Sequence, residues 1–362
     1  MKIHFTYHTF KGSLEDYDLR TDVFAPFAKI YPLVYTLQKE FDVTYTNSYP
    51  KHNTKDSIWI IGIPNHFLPE NSVEEFYEMF CRKNMSRIID YKGKVLFCSI
   101  SDACNHTYHS WFEYEIMERV DGFISANLLK KQYGRFEVAE KSILIPRFVE
   151  YADRFLIEGN AKDIELGFDK KIGFLGRLSH ITRAKYATII TNNIDNSLLD
   201  IRFMKTPIHN DIMSQLPSTS YLRDIPGEVF INEQGFVDRE TFYRRMSSSL
   251  FSLCLGGTTY FTERHITSMA LKRVVISNRF DEHYYDGEFL YRKKYEELCF
   301  FVDLSNLIEV CEYCLDNYSL CLNKAEENYQ FYKEYLELGE DGSYTQKTWE
   351  NVRAQFTKLG IF

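Results

Sequence analysis

The chain has 362 residues, which at about 150 residues per domain predicts two domains. Its 43 Lys and Arg residues against 51 Asp and Glu residues give a net charge of −8. That balance excludes a broadly basic, nucleic-acid-coating surface, although it leaves room for one basic cleft. Hydrophobic residues make up 44% of the chain and aromatic residues 16%, enough apolar surface to offset the entropy of ordering. We therefore expect a folded chain.

The sequence contains no stretch of about 18 consecutive apolar residues, the length that a membrane span needs, and its start lacks the pattern of a signal peptide. Its eight cysteines are irregularly spaced, mostly in apolar contexts. The CxxC pair Cys311 and Cys314 falls inside a helical pattern, without a second pair at zinc-ligand spacing. We interpret the cysteines as buried reduced thiols and expect a cytoplasmic location.

Strands and helices alternate in the first half of the chain. The apolar patterns predict strands over residues 1–10, 41–47, 57–63, 94–100, 122–125 and 142–145. Helical patterns lie between them, over residues 23–40, 72–83 and 111–119. Continuous apolar strands that alternate with helices are typical of a parallel sheet covered on both faces, so we expect the α/β class.

The alternation weakens between residues 149 and 169, where we place a domain boundary, and then restarts. In the second half we predict strands over residues 171–175, 200–204, 229–231, 250–255, 273–277 and 300–302, and helices over residues 183–192, 238–246, 263–271, 305–335 and 344–358. This order predicts two Rossmann-like domains, residues 1–150 and 151–342, with an interdomain cleft at the carboxyl ends of the strands. We expect the C-terminal helix within residues 343–362 to pack back on the first domain.

Residues 251–278 are the most informative segment and predict a strand, a glycine-containing loop, a helix and a strand. Gly256 and Gly257 allow a sharp turn with room for a ligand beside it, and the N-terminus of the next helix suits a phosphate. Glu263 and Arg264 fall in the first turn of that helix. An arginine can bind a diphosphate bidentately, and a carboxylate can accept both hydroxyls of a ribose. A solvated Glu–Arg pair after a loop is the alternative interpretation.

The same segment resembles the donor-binding signature of glycosyltransferases with two Rossmann-like domains, the GT-B fold. F-S-L-C-L-G-G, Arg264, S-M-A-L and R-V-V-I-S are similar to the exostosin-like pattern. The run Y-F-T-E-R, from Tyr260 through Thr262 to Arg264, is similar to the fucosyltransferase signature. The resemblance implies that Glu263 holds the ribose of a nucleotide-sugar and that Arg264 binds its diphosphate.

Two positions depart from the exostosin-like pattern. Thr267 stands where the pattern has Glu, and K-R-V-V at residues 272–275 replaces Gly-x-x-Pro at the helix end. The family resemblance leaves the donor open between a UDP-sugar and a GDP-sugar.

Two further stretches resemble parts of the same donor domain. K-I-G-F-L-G-R-L-S places Gly176 and Arg177 after the first strand of the domain, with Arg183 close behind. In these enzymes a glycine-rich turn and a basic residue at this place face the donor phosphates. Arg183 is alternatively an exposed residue on a first helical turn. The turn Gly-Phe-Val that contains Phe236 and Val237 resembles one whose backbone lies against the nucleobase.

An inverting transferase needs a base that deprotonates the acceptor hydroxyl near the anomeric carbon. Asp102 follows the strand at 94–100 and is the first candidate. This layout is similar to the DNA β-glucosyltransferases of T-even phages, in which an apolar strand also ends in a short loop with a catalytic Asp. A helix cap or turn residue is the alternative role. His106 is the next candidate, and His8 could also reach the cleft. No DxD-type acidic motif accompanies these histidines, so we expect no metal and no cofactor.

These patterns favour a cytoplasmic glycosyltransferase that moves a sugar from a nucleotide-sugar to a glycan acceptor, by inversion and without a metal. The first alternative is a phage-type transferase that modifies hydroxymethylated DNA bases, against which the net charge of −8 argues. The second alternative is a non-catalytic nucleotide- or glycan-binding protein on a decayed transferase fold, which Thr267 in place of Glu keeps open.

Overall fold

The computed structural model describes residues 1–7, 30–46, 49–62, 82–99, 118–126, 128–129, 140–161, 169–177, 181–204, 238–256, 261–280 and 287–362. The chain divides into two compact units. The first unit contains Met1–Arg147, Tyr284–Tyr291 and Leu338–Phe362, and the second contains Phe148–His283 and Arg292–Glu337. The first unit therefore takes up both the beginning and the end of the chain.

The strands are β1 (Lys2–Tyr7), β2 (Asp42–Thr46), β3 (Ser57–Gly62), β4 (Lys94–Ser99), β5 (Gly122–Ser125), β6 (Leu128–Leu129), β7 (Ser142–Leu144), β8 (Asp169–Arg177), β9 (Leu199–Met204), β10 (Ser249–Cys254), β11 (Val274–Asn278), β12 (Gly287–Glu288) and β13 (Phe300–Val302). The helices are α1 (Tyr31–Gln38), α2 (Arg82–Ile89), α3 (Arg154–Ala161), α4 (Ile181–Asn193), α5 (Arg239–Ser248), α6 (Glu263–Ala270), α7 (Arg292–Leu298), α8 (Leu307–Asp316), α9 (Tyr318–Phe331) and α10 (Gln346–Lys358). Within the described ranges, no helix has the length and hydrophobicity to cross a membrane. The predicted α/β class is confirmed.

The first unit contains a parallel sheet in the order β2-β1-β3-β4-β5-β7. Strand β3 lies inside this sheet and is buried along its whole length, as its continuous apolar run predicts. The indole N–H of Trp59 in β3 donates to Thr6 Oγ1 of β1 at 2.8 Å, so the polar atom of this buried ring is satisfied. Strands β6 and β12 form a separate antiparallel pair.

Helix α10 packs against the edge strand β7 of this sheet. The side-chain amide of Gln355 bonds both backbone groups of Leu144: its oxygen accepts from the N–H at 2.7 Å and its nitrogen donates to the C=O at 3.0 Å. The indole of Trp349 donates to Glu40 at 2.6 Å. The helix thus satisfies edge groups that a further strand would otherwise pair.

The second unit contains a parallel sheet in the order β13-β11-β10-β8-β9. Its core combines apolar residues of these strands with thiols of α8 and α9, namely Cys311, Cys314 and Cys321. The cysteines within the described residues are buried, as predicted, and form no disulfides with one another. Cys81 and Cys104 lie outside the described residues.

Helix α3 lies where the sequence shows only a weakened pattern. Ile157 is its one fully buried residue, and its largest apolar side chain, Phe155, is exposed, so its apolar periodicity is faint. An ion pair between Arg154 and Glu158 at 2.9 Å supports it, and it packs against α5. Helix α7 is also absent from the prediction, and α2 continues to Ile89 rather than ending near residue 83. The predicted strand at 229–231 lies outside the described residues.

Candidate functional site

Several predicted donor-binding segments meet at the carboxyl edge of the second unit's sheet. Strands β8 and β10 are parallel neighbours, so their carboxyl ends lie at the same edge. Helix α6 begins at Glu263, just after β10 and its loop. Helix α5 runs directly into β10, so its N-terminus lies at that edge as well. The edge therefore gathers two strand ends and two helix N-termini, the usual location of ligands in parallel sheets.

The guanidinium of Arg264 lies across the end of β8. Its central carbon is 4.7 Å from the centre of the Phe174 ring, a cation–π contact. A Cβ at position 176 would lie 2.5 Å from Arg264 Nη2, so Gly176 is what leaves room for the guanidinium. The structure thus brings together Gly176 and Arg264, two residues that the sequence singles out.

Arg264 lacks a counter-charge among the described residues. Its side chain is partly buried, and burial lowers the pKa of its guanidinium. Within the described part of the chain, no carboxylate pairs with it and no hydrogen bond to it forms. A partly buried cation without an acidic neighbour attracts an anion to this place.

His265 holds the first turn of α6 against the sheet. The backbone N–H of Thr262 donates to His265 Nδ1 at 3.2 Å, and His265 Nε2 lies 2.8 Å from Ser277 Oγ in β11. The ring is fully buried and contacts Phe261 and Phe280. Sequence reasoning missed this residue. Its signal was its place three residues after the helix cap, the position from which a capping-box side chain reaches back.

Two side chains bind the backbone of Gly256, which follows β10 closely. The N–H of Gly256 donates to Asn278 Oδ1 at 2.9 Å, and its C=O accepts from Arg183 Nε at 3.2 Å. Arg183 and Gly256, both predicted donor-binding residues, are therefore in direct contact. Asn278 was missed by sequence reasoning, although a polar residue at the end of a buried strand is a recognisable signal.

A cavity of about 480 Å³ opens beside α6, with a wall that contains Glu263 and Thr267. Thr267 is the residue that replaces the Glu of the exostosin-like pattern. Aromatic rings of α5 and a short segment before α3 complete the wall, through Phe242, Tyr243, Arg239, Phe148, Val149, Glu150 and Asp153. The volume lies within the range of small-molecule sites, and aromatic and carboxylate groups both line it.

A fixed network of charges lies on one side of this cavity. Arg239 pairs with Asp153 at 2.8 Å and with Glu150 at 2.9 Å. The hydroxyl of Tyr243 donates to the second oxygen of Asp153 at 2.6 Å, and burial together with that carboxylate raises the pKa of Tyr243. The nearly buried Asp153 carboxylate is therefore satisfied on both oxygens, while Glu263 is exposed at the surface.

Other predicted residues fall outside the described part of the chain. These are the candidate bases Asp102, His106 and His8 and the donor-site residues Phe236, Val237, Gly257 and Tyr260. Arg177 ends β8, but its side chain is not among those described. Within the described ranges, no group of three or more His, Cys, Asp or Glu side chains is placed to hold a metal ion. Metal independence stays a prediction.

No protein-family model and no curated protein matches the chain. Solved structures do. An alpha-glucosyltransferase in complex with UDP and a 13-mer DNA containing a central A:G mismatch is 12% identical over 99% of each chain, with a TM-score of 0.53. The same comparison with an alpha-glucosyltransferase in complex with UDP and a 13-mer DNA containing a HMU base gives 12% identity, 99% of each chain and a TM-score of 0.51.

A third similar structure is the N-terminal domain of Candida albicans trehalose-6-phosphate phosphatase, 10% identical over 99% of this chain and 97% of that one, with a TM-score of 0.51. At such identities the likeness concerns the fold alone. With a parallel α/β sheet in each of its two units, the chain has the GT-B glycosyltransferase fold.

Proposed function

We propose that the protein is a glycosyltransferase that uses a nucleoside diphosphate sugar and binds its diphosphate at the carboxyl edge of the second unit's sheet. The observation that carries this proposal is the partly buried guanidinium of Arg264, which has no ion-pair partner among the described residues. It lies in the first turn of α6, where free N–H groups and the helix dipole also favour an anion. A diphosphate supplies the missing negative charge.

Arg183 adds a second positive charge beside the same loop, through its contact with Gly256. When the sugar leaves, negative charge builds up on the departing diphosphate. Two guanidinium groups and a helix N-terminus that are already in place stabilise that charge without reorganising. Arg264 and Arg183 are therefore our proposed leaving-group stabilisers.

The cavity of about 480 Å³ is our proposed site for the nucleoside. The carboxylate of Glu263 can accept hydrogen bonds from the two ribose hydroxyls, and the Thr267 hydroxyl adds a donor or acceptor on the same wall. Phe242 offers an apolar ring to a nucleobase. A UDP-sugar or a GDP-sugar suits this arrangement.

For the acceptor we propose a glycan hydroxyl, which fits the net charge of −8. Its oxygen attacks the anomeric carbon, the bond from that carbon to the diphosphate oxygen breaks, and the electron pair leaves with the diphosphate. The hydroxyl proton goes to a base, for which Asp102 is our first candidate and His106 and His8 are the next. We propose inversion without a metal.

A hydroxymethylated DNA base is our second proposed acceptor. The observation that favours it is the fold similarity to two alpha-glucosyltransferase structures in complex with UDP and DNA. Parallel assays with an oligosaccharide mixture and with DNA containing hydroxymethylcytosine distinguish the two acceptors.

The donor site is tested by calorimetric binding of UDP, GDP, ADP and CMP to the wild type and to Arg264→Met. We expect one nucleoside diphosphate to bind the wild type and to lose at least about tenfold in affinity in Arg264→Met, since a charge-assisted hydrogen bond contributes about 1.5–3 kcal/mol. Arg244→Met is the control, because Arg244 is an exposed arginine of the same unit. Unchanged affinity in Arg264→Met would refute the site.

Catalysis is tested separately with Asp102→Asn. We expect this variant to bind the nucleotide like the wild type and to transfer no sugar. If the wild type binds nucleotide but neither hydrolyses nor transfers any donor sugar, the chain is a binding protein rather than an enzyme.

A further inference from the structure

The last two residues of strand β11 each hold a different part of the proposed diphosphate site. Ser277 Oγ lies 2.8 Å from Nε2 of His265, which belongs to the first turn of α6. The next residue, Asn278, accepts a hydrogen bond from the N–H of Gly256 at 2.9 Å. All three side chains are buried. One strand end therefore holds both the helix turn of one proposed phosphate-binding arginine and the backbone group that binds the other.

The hydrogen bonds around His265 assign its ring proton. The hydroxyl of Ser277 donates to the C=O of Asn278 at 3.0 Å, so its oxygen accepts from His265 Nε2–H. Nδ1 is then the acceptor for the backbone N–H of Thr262 at 3.2 Å. Both ring nitrogens thus take part in one buried connection from the N-cap of α6 to the end of β11.

The second turn of α6 has an anchor of its own. The hydroxyls of Ser268 in α6 and Ser252 in β10 are hydrogen-bonded to each other at 2.6 Å, and both residues are buried. Because Ser268 ties the second turn to a different strand, loss of the His265 contacts should loosen the first turn and leave the helix in place.

The two proposed phosphate-binding arginines need such a connection. Arg264 and Arg183 belong to different helices, α6 and α4, so neither helix by itself sets the distance between their guanidinium groups. The end of β11 is hydrogen-bonded towards both, through the first turn of α6 and through Gly256. Groups that are in place before a ligand arrives bind it more tightly, because less freedom is lost on binding.

We propose that His265 and Asn278 are positioning residues of the donor site. From the end of β11 they keep the first turn of α6 and the backbone of Gly256 at a fixed separation, and with them the two arginines. Each acts through a neighbouring arginine rather than by contact with the diphosphate. This role rests on the proposed function, since it concerns the same site.

The probe for the test is inorganic pyrophosphate in calorimetric titrations, because it carries two linked phosphates without a base. His265→Leu removes both hydrogen bonds of the ring and should weaken pyrophosphate binding at least about fivefold. His265→Gln provides a new acceptor for the N–H of Thr262, as Gln does in a capping box, and should regain most of the affinity. Asn278→Ala should weaken binding by a similar factor to His265→Leu.

Ser268→Ala is the matched control, because it removes a buried hydrogen bond of the same helix outside the first turn. It should lower the midpoint of urea unfolding, as His265→Leu does, and keep the wild-type affinity for pyrophosphate. An equal loss of affinity in this control would mean that His265 only stabilises the fold, which overturns the proposal. If His265→Leu fails to fold, Ser277→Ala replaces it, since it removes only the acceptor on β11. Wild-type affinity in Ser277→Ala would then refute the role of His265.

Binding by the wild type and by Arg264→Met separates this proposal from the proposed function. If the wild type binds neither pyrophosphate nor UDP nor GDP, the donor site is rejected and the positioning role with it. If Arg264→Met weakens pyrophosphate binding but His265→Leu and Asn278→Ala do not, only the positioning role is rejected.

Discussion

Gly176→Ala is the most informative single substitution, because it adds one methyl group directly under the guanidinium of Arg264. The new Cβ would lie 2.5 Å from Arg264 Nη2 and 3.1 Å from the nearest carbon of the Phe174 ring. The guanidinium must move by roughly 1 Å to regain ordinary van der Waals contact. The positive charge of Arg264 would remain in the site but would no longer lie where the diphosphate is proposed to bind.

The expected loss is in binding rather than in stability. A displacement of this size breaks at least one charge-assisted hydrogen bond to the diphosphate, about 1.5–3 kcal/mol, and raises the dissociation constant of the bound nucleotide about 10- to 150-fold. The flexible end of Arg264 absorbs the crowding, which costs about 1 kcal/mol. Replacing glycine also lowers the conformational entropy of the unfolded chain, which stabilises the folded protein by about 0.4–1 kcal/mol. The free energy of unfolding should therefore change by less than about 1 kcal/mol.

The assay pairs calorimetric nucleotide titration with urea unfolding on the same preparations. Gly159→Ala is the matched control, because a Cβ at position 159 in α3 meets no atom within 4 Å. The control should keep full nucleotide affinity and gain about 0.5–1 kcal/mol of stability from helix propensity. A Gly176→Ala protein that folds and still binds the nucleotide with wild-type affinity would refute the role of Arg264.

Three further outcomes concern stability. Tyr243→Phe should cost about 1.5–3 kcal/mol in urea unfolding, because Asp153 loses a hydrogen-bond donor, whereas full stability would mean that the ion pair alone satisfies that carboxylate. Asn278→Ala should cost about 1–3 kcal/mol by leaving a buried loop N–H unpaired, and an unchanged midpoint would show that this N–H finds another acceptor. Partial burial alone would raise the pKa of Asp341, but hydrogen bonds from Lys39 and from the hydroxyl and backbone N–H of Ser343 lower that pKa from 3.8 to about 2. Asp341→Asn should therefore lower the free energy of unfolding by less than about 1 kcal/mol, since the pair with Lys39 is exposed. This loss should be largest above pH 4 and should disappear as the pH falls towards 2, because the wild-type carboxylate is then protonated. A difference between the two proteins that does not change with pH would contradict this expectation.

The strands could be predicted closely because they are buried on both faces. The predicted limits of β3, β10 and β11 lie within one residue of those observed, and each of these strands is a continuous run of buried residues. Helix α3 could not be predicted in the same way. Only Ile157 anchors its apolar face, and its other contacts come from α5, which is distant in sequence.

The residues of the candidate site likewise differ in how far the sequence could predict them. Gly176 and Arg264 leave local signals, a glycine at a strand end and a cation in a first helical turn, and the structure places them side by side. His265 and Asn278 act through hydrogen bonds to Ser277 and to Gly256, on other elements. Which residues meet across different elements depends on strand register and helix placement, and neither can be inferred from the local sequence pattern.

Helix α10 belongs to the first unit although it is the last helix of the chain. During synthesis the residues of the second unit leave the ribosome before helix α10 does, so that unit can form its sheet while the first unit still waits for the helix that covers strand β7. In that interval the edge of β7 is open to pairing with other chains. A premature stop at residue 338 would therefore leave the second unit complete and the first with an unprotected, aggregation-prone edge.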